Sequence, residues 1–233
     1  MIKLLIVGRR RPGMTRAQAS RHLRLVHGPM VYDPPADAGA MPAAYVQNHV
    51  FDGVHLGAAP EALAPYGLDR DLVTEIWFAS MGDMIASTQT PYYLANLKPD
   101  EPRFVDDSTV VRCPVAEGAR EGGAQGGRFK LFLFLKAPPG AEPAAVVWRE
   151  ALAPALQAAN AGWVENTATS RPGARPFADR IWEAWFEERE ALATFVDDRL
   201  PTLLDDLGDT VDRTSTLYLL AEEYTVERLR AGD

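Results

Sequence analysis

All four histidines of this 233-residue chain, His22, His27, His49 and His55, fall in its first quarter. Histidine is the side chain best suited to acid–base work near neutral pH. His49 closes the run Ala44-Tyr45-Val46-Gln47-Asn48-His49, which reads as a strand. Alternation puts Tyr45, Gln47 and His49 on one face and Val46, Asn48 and Val50 on the other. The valines are the natural partners of helices, so Tyr45, Gln47 and His49 are expected on the opposite, interior face. There His49, helped by the Tyr45 phenol and the Gln47 amide, has the make-up of a general base. The same pattern also fits a core histidine satisfied by hydrogen bonds. On the next predicted strand, Glu75 and Trp77 alternate with Ile76 and Phe78. If Ile76 and Phe78 meet the helices, Glu75 and Trp77 line the cavity. Trp77 then stacks on an aromatic ligand or simply packs, and Glu75 pairs with Arg9 or Lys3. His22 and His27 are five residues apart, about 140° around an α-helix, so they are expected on different faces. That spacing argues against joint metal binding, which wants three or four. His55 reads as an exposed loop residue.

These residues sit on a pattern that occurs twice. Lys3-Leu4-Leu5-Ile6-Val7 returns as Lys130-Leu131-Phe132-Leu133-Phe134, Pro12-Gly13 as Pro139-Gly140, Tyr45-Val46-Gln47-Asn48 as Trp163-Val164-Glu165-Asn166, and Glu75-Ile76-Trp77-Phe78 as Glu183-Ala184-Trp185-Phe186. A period above a hundred residues implies a duplicated domain. The first copy predicts a strand at 2–9, a helix from the Thr15-Arg16-Ala17-Gln18 capping box to a stop at Gly28-Pro29, strands at 44–51 and 73–79, a helix from Ser80 to Asn96, and a strand at 108–115. The second predicts the same order at 129–136, 143–160, 162–169, 180–187, 188–206 and 214–222. The order is β-α-β-β-α-β, the ferredoxin-like unit. The expected fold class is therefore α+β: two tandem ferredoxin-like repeats, 1–117 and 129–233, packing sheet to sheet into an intramolecular α+β barrel. The Gly-rich stretch 118–128 between them reads as a flexible linker without regular structure. His22, His27 and His49 align with Arg149, Pro154 and Thr167 of the second copy, which points to one working site rather than two. Residues kept in both copies, such as Glu75/Glu183 and Asp106/Asp212, are expected to serve the scaffold.

Bulk properties narrow the function classes. A net charge of −8 disfavours nucleic acid as a partner. Seven cations, Lys3, Arg9, Arg10, Arg11, Arg16, Arg21 and Arg24, precede the first acid, Asp33. That local excess favours an anionic or phenolate small molecule, with a solvated basic loop as the alternative. No apolar run approaches a membrane span and no signal sequence is read, so a soluble, cytoplasmic protein is expected. The lone Cys113 excludes an internal disulfide and reads as a buried, inert thiol. No phosphate loop, zinc cluster, nucleophile elbow or calcium loop is present, so no metal and no cofactor are expected.

The stretch Arg9-Arg10-Arg11-Pro12-Gly13 … His22-Leu23-Arg24-Leu25-Val26-His27-Gly28-Pro29, continued by Tyr45-x-Gln-Asn-His49, Glu75-x-Trp-Phe and Arg103-Phe-x-Asp106, resembles the EthD family of dimeric α+β barrels. The resemblance implies a small-molecule enzyme and adds His27, at the mouth of the pocket, and His22 to the candidate acid–base residues. His27 could equally be a helix-end cation that meets free carbonyls. The reaction it implies is that of a cofactor-independent lyase or isomerase, of cyclase, dehydratase or dehalogenase type, acting on a small aromatic or polyketide-like acid. In it, His49, Tyr45, His27 and His22 carry protons, Arg9 steadies an enolate or carboxylate, and Gln47, Glu75 and Trp77 contact substrate. The alternatives are a cofactor-free monooxygenase of the same superfamily and a non-catalytic ligand-binding or stress protein. The chain is expected to be a monomer or a homodimer.

Overall fold

The computed structural model describes residues 1–55, 69–123, 127–169 and 176–232, with the side chains of Val54 and His55 outside the described set. The chain forms two compact units. The first holds Met1–Val50, Asp69–Ala116 and the C-terminal segment from Glu223; the second holds the end of the second strand from Phe51 and Glu117–Glu222.

In the first unit, strands β1 (Ile2–Gly8), β2 (Ala44–His55), β3 (Leu72–Phe78) and β4 (Val111–Glu117) form an antiparallel sheet. Its order is β4-β1-β3-β2, with Leu5 opposite Glu75 and Cys113, and Gln47 opposite Thr74. Cys113, the single cysteine of the chain, is buried there as a thiol. Helix α1 (Arg16–His22) begins at the expected capping box, where Thr15 accepts from the Gln18 amide and the Gln18 side chain returns the contact.

The first helical segment of this unit runs further than expected; the second breaks at a turn over 88–90 and then also runs past its expected end, for the same reason. After α1 the chain makes one π turn, Leu23–His27, in which Gly28 N–H reaches back five residues to the Leu23 carbonyl; α2 (Gly28–Tyr32) follows, with Pro29 in its first turn. After α3 (Met81–Ser87), a second π turn, Tyr93–Leu97, is closed by Lys98 N–H on the Tyr93 carbonyl and leads into α4 (Lys98–Phe104), with Pro99 in its first turn. A proline lacks the N–H that would continue an α-helical ladder and crowds the carbonyl four residues back. The wider π turn comes just before each proline and lets the segment pass through Gly28-Pro29, where the sequence predicts a stop, and through Lys98-Pro99, beyond the end expected near Asn96. Gly28 is needed on a second count: a Cβ there would sit 2.6 Å from Gln47 Nε2 and 3.0 Å from the Leu23 oxygen.

The second unit has β5 (Glu121–Gly122), β6 (Phe129–Leu135), α5 (Ala145–Ala158), β7 (Gly162–Ala168), β8 (Arg180–Phe186), α6 (Arg189–Asp198), α7 (Leu200–Asp206) and β9 (Leu217–Thr225). Its strands run β9-β6-β8-β7-β5, all antiparallel. The Gly-rich stretch is thus not structureless: Glu121 and Gly122 pair with Trp163 and Gly162. A glycine-rich segment can still add a short edge strand when a neighbour offers free backbone groups. The last helix, α8 (Val226–Ala231), belongs to the first unit, where Leu229 and Tyr224 pack with Val31, Tyr45 and Leu97.

On the sheet face turned from the helices, each unit buries the same polar cluster. Lys3 Nζ lies 2.5 Å from Glu75 Oε2, Asn48 donates to Glu75 and to the Val73 carbonyl, and the ammonium sits 4.7 Å over the Trp77 ring. In the second unit Lys130 pairs with Glu183 at 3.1 Å, Asn166 donates to Glu183 and to the Ile181 carbonyl, and Trp185 takes the cation at 4.5 Å. All four charged groups are essentially inaccessible. Removing one partner leaves the other charge buried. Lys3→Met is therefore expected to cost about 3–5 kcal/mol, and the double change Lys3→Met/Glu75→Leu much less. Urea unfolding of the two variants measures both; equal losses would contradict this reading.

Candidate active site

The side chains of Tyr45, Gln47 and His49 point toward the helices, which reverses the expected face. Gln47 Nε2 donates to the Leu23 carbonyl in the first π turn, and His49 Nδ1 bonds Ser20 Oγ on α1. Val46 and Asn48 take the other face, Val46 opposite Glu75 and Asn48 bonded to it. The second unit is reversed alike. Trp163 packs in the helix-side core with Trp148 and Leu152, while Val164 lies opposite Glu183. Alternation divides a strand into two faces but does not say which face meets the helices, and here both faces are buried.

Between the helices and the helix-side face of the first sheet lies a cavity of about 280 Å³. The sheet contributes Leu4, Ile6, Tyr45, Thr74, Ile76 and Phe78. The helical segments contribute Leu23, His27, Val31, Tyr93, Leu97, Glu101 and Phe104, and Arg112 and Pro114 of β4 close one end. The volume is near the lower end for small-molecule sites, and such mostly apolar walls with a few convergent polar groups are their usual lining.

His27 is the polar group with the most constrained geometry. Its Nδ1 lies 3.1 Å from Asp100 Oδ2, and Asp100 also receives His22 Nε2 at 3.0 Å on each carboxylate oxygen. Asp100 is buried, on the first turn of α4. Both imidazoles rest against Phe104, with centroids 5.2 and 4.9 Å from its ring. The expectation that His22 and His27 face apart is thus overturned. The 140° offset holds for an α-helix, whereas the π turn between them winds more residues into each turn and brings both rings to one carboxylate. Burial would push the Asp100 carboxyl up, but the hydrogen bonds from His27 and His22 outweigh it and hold it below the usual range. Ionised, Asp100 can only accept, so in its neutral form His27 carries its proton on Nδ1 and leaves Nε2 as an acceptor.

A second polar group shares the cavity. Tyr93 donates to Glu101 Oε1 at 2.9 Å, and Arg112 lies 3.6 Å from Glu101 and 3.4 Å from Asp107. Burial and the Glu101 charge raise the Tyr93 phenol, which stays protonated. Burial likewise raises the Tyr45 phenol, which accepts from Gln47.

The other expected site residues are not brought to this cavity. His49 and Gln47 lie behind it, bonded to each other at 3.0 Å. Glu75 and Trp77 are on the far face of the sheet, and Glu75 pairs with Lys3 rather than Arg9. Arg9 offers its carbonyl to Asp106 N–H and does not line the cavity. His22 reaches the site through Asp100. The sequence reading missed Asp100, Glu101, Tyr93 and Arg112. Lys98-Pro99-Asp100-Glu101 carries a proline followed by two acids, the signature of a helix start rather than of a loop, and it was the available signal. Asp106 and Asp212 serve the scaffold as expected, accepting from Ser108 and from Thr214. Among the described residues no three His, Cys, Asp or Glu side chains are arranged to hold a metal ion, and no helix is long and apolar enough to cross a membrane.

Residues 11–108 match the EthD domain. His22, His27, Tyr93, Asp100 and Glu101 all lie within that EthD segment. No curated protein matches the chain significantly. Among solved structures, an anthrone oxidase-like protein is similar over 96% of this chain and 92% of its own, at 12% identity and a TM-score of 0.55. A candidate monooxygenase from Fusobacterium nucleatum matches over 97% and 92%, at 8% identity and a TM-score of 0.54. A candidate chlorite dismutase matches over 99% and 98%, at 9% identity and a TM-score of 0.51. At such identities the likeness to these structures concerns fold alone.

Burial, and then the nearby Arg24 charge, lower the pKa of His49 to about 4. The unfolded chain binds this proton near pH 6.5 and the folded chain only near 4. The contribution is therefore complete above pH 6.5 and lost as pH falls toward 4, at up to about 1.4 kcal/mol per pH unit. Urea unfolding across this range is expected to show that slope and His49→Gln to flatten it; an unchanged slope would contradict the assignment.

Proposed function

We propose that the chain is an enzyme that removes a proton from a small aromatic or polyketide-like carbon acid bound in the first unit's cavity, with His27 as the base. One observation carries this reading: a single imidazole is anchored at Nδ1 by a buried carboxylate and also lines an apolar cavity. Nε2 of His27 takes the proton, and Asp100 holds the ring in the required tautomer and steadies the imidazolium that forms. His22 is a positioning residue that fixes the Asp100 carboxylate from the other side. Apolar walls exclude water from the developing enolate. Glu101, with Tyr93 and Arg112, supplies a second protonatable group for returning or relaying the proton. The preferred outcome is a lyase or isomerase reaction that needs no cofactor. A monooxygenase outcome, in which dioxygen traps the same carbanion, is favoured by the likeness to an anthrone oxidase-like protein and to a candidate monooxygenase.

The scaffold we propose for this chemistry is a pair of ferredoxin-like repeats, 1–117 and 129–233 joined by 118–128, packed sheet to sheet as an α+β barrel in one chain. The matching strand order of the two units and their matching Lys–Glu–Asn clusters support it. The second unit then carries no second active site, since Arg149, aligned with His22, is taken up in ion pairs with Glu121 and Glu165. We also propose a small-molecule substrate as the only partner the activity requires, in a cytoplasmic monomer or homodimer.

Anthrone is a suitable probe, because its methylene protons are acidified by the ring ketone. Without oxygen, the protein is expected to accelerate exchange of those protons in deuterium oxide. His27→Ala should lower the exchange rate about 100-fold or more, and Asp100→Asn should lower it as well. In air, conversion of anthrone and one dioxygen to anthraquinone and one water would select the monooxygenase outcome. Exchange that survives His27→Ala would overturn the role given to His27.

A further inference from the structure

Outside the cavity, three side chains form a directed relay. Ser20 lies on α1, and Gln47 and His49 are alternate residues of β2 on its helix-facing side; none of the three lines the cavity. The direction of the relay follows from one fixed point. Gln47 Nε2 is 3.0 Å from the Leu23 carbonyl oxygen, which can only accept, so that end of the amide is the NH2 group. Gln47 Oε1, 3.0 Å from His49 Nε2, therefore accepts, and His49 carries its proton on Nε2. Nδ1 of His49 then presents its lone pair to Ser20, and the Ser20 hydroxyl donates to it. A hydroxyl bonded to the free nitrogen of an imidazole, whose other nitrogen is held by a third side chain, is the arrangement of an activated nucleophile. Here the two ring nitrogens are exchanged and a carboxamide replaces the carboxylate.

The relay has a cation beside it. Arg24 follows Ser20 by four residues, one helical turn on. Its Nε is buried without a hydrogen-bond partner among the described residues. Its guanidinium packs 4.6 Å over the ring of Tyr224, whose edge meets the His49 ring at 4.9 Å. A buried, unpartnered guanidinium N–H is costly unless an acceptor joins it, and a charged acceptor suits it best. Ser20 and His49 both keep partial solvent exposure, so a ligand can reach them.

We propose that Ser20 is an acyl-accepting nucleophile, with His49 as its base and Arg24 as the binding group for an ester whose acyl chain is anionic. Ser20 Oγ forms a bond to the ester carbonyl carbon while its proton passes to His49 Nδ1. The ester C–O bond breaks, and the departing alkoxide takes that proton as an alcohol. Water then attacks the acyl-serine with the same proton path, which releases the acid and restores Ser20. Gln47 is a positioning residue that fixes the His49 tautomer. This chemistry is separate from the His27 cavity and is read by a different product.

The test uses the full chain and the mono-4-nitrophenyl ester of glutaric acid, with 4-nitrophenyl acetate as the uncharged comparison. Intact mass and peptide mapping after rapid acid quench are expected to show one glutaryl group on Ser20. Ser20→Ala should abolish the adduct, and His49→Gln should slow its formation about 100-fold. Arg24→Met should slow the glutarate ester at least tenfold more than the acetate. Mapping of the native protein stands even if a variant fails to fold. No adduct, or an adduct on another residue, overturns the proposal; equal slowing of both esters in Arg24→Met overturns the assignment of Arg24.

Discussion

The buried carboxylate of Asp100, shared by His22 and His27, is the constraint on which the site depends. An ionised carboxylate away from water must be met by donors on all sides, and here two imidazoles from one helical segment meet it. That contact ties the first helical segment to the second and fixes the rotation of both rings. It also leaves one nitrogen of His27 free on the cavity wall. Without the π turn at Leu23–His27 the two histidines would face apart, and Asp100 would hold at most one of them. Backbone register, side-chain orientation and chemistry are linked through a single hydrogen-bonding step from Gly28 to Leu23.

The two π turns explain why one unit can carry a cavity at its helix–sheet interface. Each precedes a proline and widens the segment at the point where it passes over the sheet, and their residues Leu23, His27, Tyr93 and Leu97 all line the cavity. In the second unit α5 is unbroken α-helix across fourteen residues. Trp148, Trp163 and Trp182 fill the corresponding helix-side core of that unit. The asymmetry in histidine content between the halves of the sequence therefore has a packing counterpart.

Much of the frame was legible because it rests on local rules. The capping box at Thr15, the Pro-Gly turns with left-handed Gly13 and Gly140, and most strand positions follow from residue type and period. So did the structural role of Glu75, which the repeat at Glu183 marked. The site was less legible. Strand period assigns Tyr45, Gln47 and His49 to one face, but choosing that face required knowing what covers each side, and apolar valines proved a poor guide where both sides are buried. The 140° between His22 and His27 holds for a regular α-helix, and a π turn has no strong sequence signature beyond the proline that follows it. Asp100 lies beyond the helix end expected near Asn96, although Pro99 sits where a helix tolerates proline best and opens the further turns that carry it.

The account stands most directly on the state of the His27 ring, which nitrogen-15 correlation spectra of the histidine side chains report. At neutral-ring pH, His27 is expected to show a protonated Nδ1 and an unprotonated Nε2, and Asp100→Asn is expected to perturb the resonances of His22 and His27 together. A His27 ring protonated on Nε2, or one whose signals ignore the Asp100 change, would contradict the claim that a shared buried carboxylate aims this base into the cavity.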